Sequence, residues 1–127
     1  PALIDYTLSD GSGGTATGRL SVNVTEVNQA PVPVNATRDA FASVSQDLNL
    51  SSALQAASRG APNEASQTLR ISRVIPTANT RGSVSLNNDG TIRYTAPSGF
   101  SGADSFDYEV IDNGTTNGAN DFKTGIA

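Results

Sequence analysis

The chain has 127 residues, a net charge of −4, and no Cys, Met, Trp or His. That length holds one ordinary domain with part of a second, and the missing Cys and His exclude disulfide staples and the usual nucleophile–base pairs. The Arg residues are scattered, Lys123 is the single Lys, and no run approaches the ~20 apolar residues of a membrane helix, so neither nucleic-acid binding nor membrane insertion is expected.

From the start, Ile4, Tyr6 and Leu8 alternate with Asp5 and Thr7, the period of a strand with one apolar face. Gly11-Ser12-Gly13-Gly14 leads into a second alternating run, Leu20, Val22 and Val24, so these glycines form a hairpin connection and not a phosphate loop before a helix. Thr25–Pro33 follows, where Pro31 and Pro33 fix φ and remove two donors, which predicts a stiff extended connector at a sheet edge. Ser51–Ala57 predicts one or two helical turns with a Ser cap, too short to set the fold class.

Leu69 and Ile71, with Val74 and Ile75, read as the next strand. Val84 and Leu86, then Ile92 and Tyr94, flank Asn87-Asn88-Asp89-Gly90, a hairpin signal because Asp-Gly readily supplies positive φ. Ala96–Gly102 is a crossing loop with Phe100 tucked beneath it as a plug. Phe106, Tyr108 and Val110 make the strongest strand, with both rings expected at the core centre and the Tyr108 hydroxyl tying down a neighbouring loop. Of the Tyr and Phe residues, only Phe41 and Phe122 fall outside core or plug positions. Seven or so short strands separated by turn signals predict an all-β fold, an antiparallel two-sheet sandwich.

The chain also resembles itself. Asp5-Tyr6-Thr7-Leu8-Ser9-Asp10 and Asp107-Tyr108-Glu109-Val110-Ile111-Asp112 share Asp, Tyr, an aliphatic and Asp in register, 102 residues apart, and Ile4 matches Phe106. A separation of about one domain length predicts successive modules of an array. Residues 1–28 then read as the closing hairpin of a preceding repeat plus linker, and residues 29–127 as the next module with its last strand truncated.

The stretch from Gly82 through Asn88-Asp89-Gly90-Thr91, Tyr94-Thr95-Ala96-Pro97, Gly99-Phe100-Ser101-Gly102 and Asp104-Ser105-Phe106 to Tyr108 and Asp112 resembles the cadherin-like, immunoglobulin-like tandem repeats of large bacterial surface adhesins. Asp5 to Val32 is similar to the end of such a repeat running into the next, while residues 35–80 match loosely. The resemblance implies a cadherin-like or immunoglobulin-like sandwich that acts as a structural spacer or adhesion module, extracellular or at the cell surface. Related modules also accompany secreted enzymes. Its implied partners are neighbouring repeats of the same chain.

Members of that family often hold calcium at the junction, and a hard cation needs six to eight oxygens. The weak calcium candidates here are Asp10, Glu26 and Asn28 near the junction, with Asp104 and Asp112 expected at the far pole. Gln29 stands where the family usually has an acid, so any such site is expected to be weak or incomplete. The plain reading is turn-forming Asp and solvated Glu. No enzymatic constellation is expected, since Asp104 with Asp107 reads as a turn residue and a strand-face residue. A Lys–Asn cross-link would have only Lys123 to draw on. Residues 15–25 duplicate the truncated strand, so strand exchange with another copy is a further expectation. The rival from another class is a ligand-binding module for carbohydrate or protein, using an exposed loop such as Ala56–Ser66 or Thr77–Arg81.

Overall fold

The computed structural model describes residues 1–127 and places nearly all regular structure in antiparallel strands. β1 (Ala2–Ser9) and β2 (Thr15–Val22) pair only with each other. The sandwich proper is built from β3 (Ser45–Leu48), β4 (Arg70–Ile75), β5 (Ser83–Leu86), β6 (Ile92–Thr95) and β7 (Asp107–Ile111), with β10 (Thr124–Ile126) closing it. One sheet has the order β10-β7-β4 and the other β3-β6-β5. A small hairpin, β8 (Thr115–Thr116) with β9 (Ala119–Asn120), interrupts the connection from β7 to β10.

Period-2 alternation decides which side chains the two sheets enclose. Ile92 of β6 joins Tyr108 and Val110 of β7 in one buried cluster with Leu50, Ala53 and Ile71, and Tyr94 of β6 is buried as well. Ile92 and Val110 are fully buried, and each such side chain contributes roughly 1.5–3 kcal/mol. Phe106 and Phe100 are half-buried, so the expected ring core rests more on Tyr94 and Tyr108. Tyr94 stacks on Phe106 with centroids 6.5 Å apart, and the Tyr108 hydroxyl donates to the Val34 carbonyl, tying the first segment of the body to the core.

The local signals mostly act as read. Asn87–Gly90 turns β5 into β6, with Gly90 at φ 88° where a side chain would be strained. β4 carries a bulge between Ile71 and Arg73, which lets Ser72 donate to Glu109 of β7. Helix α1 (Ser51–Ala56) forms, but its cap is corrected: Leu50 holds the N-cap position without a side-chain bond, and Asn49 Oδ1 accepts from Ser51 N instead. The connector is less regular than a strand, since Val32 makes a single bridge to Ser58.

The hairpin β1–β2 departs from expectation in burial. Every residue of both strands is exposed apart from half-buried Gly18, so Tyr6 is a surface ring and not a core one. Alternation fixes which face is apolar; it does not fix what covers that face.

Candidate functional site

The polar residues of the body gather at the two ends of the sandwich, and the end where the chain enters is the richer. β7 delivers Asp112, which is nearly fully buried, and the linker delivers Asn28, equally buried. Asn28 Nδ2 donates to Asp112 Oδ1 at 2.9 Å and Oδ2 at 3.1 Å, and to the Asp121 carbonyl at 2.6 Å. Asn28 Oδ1 accepts from Gln67 Nε2 at 2.8 Å, so both ends of the amide are used. Asp112 Oδ1 also takes the main-chain N–H groups of Gly114 at 3.1 Å and Lys123 at 3.0 Å. A buried carboxylate without such donors costs free energy, and here every donor comes from a segment that must be held at this pole.

Gly114 is required by space. A Cβ there would lie 2.1 Å from Asn28 Oδ1. The β8–β9 hairpin completes the grip on the linker. Asn117 N donates to the Glu26 carbonyl, Gly118 N and Thr115 Oγ1 donate to Glu26 Oε1, and Asn28 N donates to Thr116 Oγ1. The Gly118 and Thr115 bonds hold the Glu26 carboxyl below the usual range. On the other side, buried Glu64 of the 3₁₀ turn Pro62–Glu64 accepts from Gln29 N at 2.6 Å and from Ala61 N. The loop Ala56–Ser66 is therefore fastened to the linker through Glu64. A polar cleft of about 240 Å³ between Glu26, Glu64, Gln67 and Thr115 includes the one buried side-chain atom without a partner, Gln67 Oε1.

The cation candidates separate into three places. Glu26, Asn28 and Asp112 meet at the entry pole, which corrects the expected position of Asp112 at the far end: β7 runs back toward the linker, so the residue that follows it shares the pole with Asn28. Between Asn28 and Asp112 stands an amide NH₂, a donor where a cation site needs an oxygen. Asp10 lies in the β1–β2 turn, where it accepts from Ser12 N and Gly14 N, which lower its pKa. Asp104 is at the opposite pole. Partial desolvation works against its charge, but bonds from Arg81 N, Tyr94 Oη, Gly82 N and Ser105 N outweigh it and set its carboxyl at about 2. Tyr94 is pushed up to about 12, by burial first and by Asp104 second. No group of three or more His, Cys, Asp or Glu is arranged to hold a metal.

Asp104 thus fastens the loop Thr77–Arg81 to the rest of the body, so this loop too is tied down. Thr77 N donates to Thr80 Oγ1, which closes it from within. Arg81 lies over the Phe100 ring at 5.4 Å. Lys123 pairs with Asp121 at 3.0 Å and meets Asp112 through its main-chain N–H. An open groove of about 660 Å³ runs between the segment Asn35–Ala42 and the crossing loop, with Tyr94, Phe100, Phe106 and Tyr108 in its wall.

Sequence reasoning named Asn28, Glu26 and Asp112 but missed Asp121, Glu64, Gln67 and the β8–β9 hairpin as their partners. The Asn117-Gly118 pair, a turn signal, was the available clue to that hairpin.

A family model described as bacterial Ig domain matches residues 28–120. No curated protein and no solved structure matches the chain.

Proposed function

The chain belongs to the bacterial Ig domain family, and from that premise we propose that it is a non-catalytic structural spacer of a larger extracellular or surface-attached repeat protein. Its work is mechanical. Pull applied through the linker enters at Glu26–Asn28 and passes through Asn28 into Asp112 and Asp121, on the connection between β7 and β10. The loop Ala56–Ser66 shares the load through Glu64 and Gln29.

The observation that carries this reading is the density of bonds onto residues 26–29. Three residues of the connector, Glu26, Asn28 and Gln29, are held by the β8–β9 hairpin, the residue that follows β7 and the 3₁₀ turn, and Asn28 is as buried as the core. A flexible tether has no need of such a seat, whereas a spacer that transmits orientation does. The joint needs no ion on this reading, since the Asn28 amide donates to both oxygens of the buried Asp112 carboxyl.

The rival, a carbohydrate- or protein-binding module, has the groove beside Tyr108 in its favour. Its rings are already engaged: Tyr94 against Phe106, and Phe100 beneath Arg81. Sugar stacking needs a free ring face. Backbone ¹⁵N relaxation tests the spacer reading. Residues 26–29 should tumble with the body in the presence of chelator, and nanosecond motion through Asn28 would contradict it.

A further inference from the structure

The hairpin β1–β2 has one face that is entirely apolar or small. Ala2, Ile4, Tyr6 and Leu8 lie opposite Val22, Leu20, Gly18 and Ala16 in the ladder, so the seven side chains of these residues point the same way and Gly18 leaves room beside Tyr6. That face is open to solvent, with Ile4 51 %, Tyr6 47 %, Leu8 63 % and Leu20 52 % exposed. The opposite face carries the Asp5–Arg19 ion pair at 2.6 Å with Thr7 and Thr17, as a solvated face should. An isolated two-stranded hairpin with an uncovered apolar face is marginal in water.

The same chain shows the pattern covered. Tyr108 and Val110, which match Tyr6 and Leu8, are 5 % and 0 % exposed because β3-β6-β5 and α1 lie over them. The likeness extends to atoms that the sequence pattern alone does not place. Leu8 is paired with small Ala16, and Val110 with small Gly125. Asp10 Oδ1 accepts from the N–H two residues on, Ser12, and Asp112 Oδ1 accepts from the N–H two residues on, Gly114. The difference is one insertion. Val110 and Gly125 are separated by the β8–β9 hairpin, whereas the turn between Leu8 and Ala16 is short.

We infer that the Ile4–Tyr6–Leu8–Leu20 face is a core face, and that its occupant is a second sandwich body of this kind, joined upstream in the same polypeptide and lacking only its closing hairpin. The hairpin takes there the place that β7 and β10 take here. Asp10, whose Oδ2 has no partner comparable to Asn28, accepts an amide from the start of that body. This rests on the spacer reading but fails separately from it, since the grip on residues 26–29 stands whatever covers the hairpin.

The test is a chain in which residues 28–105 are placed directly before residue 4, so that Ile4 follows in the register of Phe106. The expected result is slowing of amide exchange at Tyr6, Leu8 and Leu20 by at least ~100-fold relative to the 127-residue chain. Tyr6→Asp should then lower the unfolding midpoint of the upstream unit and leave residues 28–127 unchanged. Hairpin amides that exchange as fast as before, or an upstream unit that does not fold, overturn the inference. So does protection of those amides in the 127-residue chain that rises with concentration, which would give the face to a second copy by strand or face exchange.

Discussion

Asn28→Ala is the most informative substitution at the entry pole. It removes the donor to both oxygens of buried Asp112, the donor to the Asp121 carbonyl, and the acceptor for Gln67 Nε2. A hydrogen bond to a charged group is worth about 1.5–3 kcal/mol and a neutral one about 1 kcal/mol, while an orphaned buried partner adds its desolvation cost. Asp112 keeps Gly114 N and Lys123 N, which limits the loss. The expected destabilisation is about 3 kcal/mol, or about 15 °C in Tm for a body of this size. With no Trp in the chain, urea unfolding followed by far-ultraviolet circular dichroism is the assay, read on both variant and parent. A loss below about 0.5 kcal/mol, in the range of ordinary surface substitutions, would refute the reasoning. Asn28→Asp sharpens it by placing a carboxylate against Asp112, so it should destabilise more in chelator and regain stability with calcium.

Gly114→Ala should destabilise comparably, because its Cβ meets the Asn28 side chain; near-identity with the parent in urea unfolding would contradict the packing. The Asp104 carboxyl is depressed to about 2, so the stability it adds is complete above the unfolded-state value near 4 and disappears as pH falls toward 2. Asp104→Asn should flatten that acid limb in melts taken between those limits. Glu26→Ala removes bonds at an exposed carboxylate, so the melting midpoint should hardly move, while ¹⁵N relaxation should show faster motion up to residue 27. For the parent chain, millimolar calcium and chelator should give the same Tm, and a calcium-dependent rise of several degrees would contradict the ion-free joint.

The sandwich was legible because a half-buried strand writes its burial directly into alternation. Ile92, Tyr94, Tyr108 and Val110 could be placed inside from period alone, and Asn87–Gly90 announced its own turn. The entry pole was only half legible. Glu26, Asn28 and Asp112 stood out by residue type, but their meeting depends on the direction in which β7 returns, a property of topology that no local pattern carries. Glu64 gave no signal in the sequence because its two main-chain donors, Gln29 N and Ala61 N, leave no trace in side-chain identity. Tyr6 was misplaced for the opposite reason: its pattern is that of a core residue, but β1 and β2 pair only with each other and the ring is left exposed.

The account comes down to whether force on the linker is carried into the β7–β10 connection by Asn28. Stretching the chain between handles at Pro1 and Ala127 by force spectroscopy measures this directly, in chelator and again with calcium. The account predicts a body-unfolding peak whose force is indifferent to calcium and clearly lower in Asn28→Ala. An unchanged peak in that variant, or a parent peak that strengthens with calcium, would contradict it.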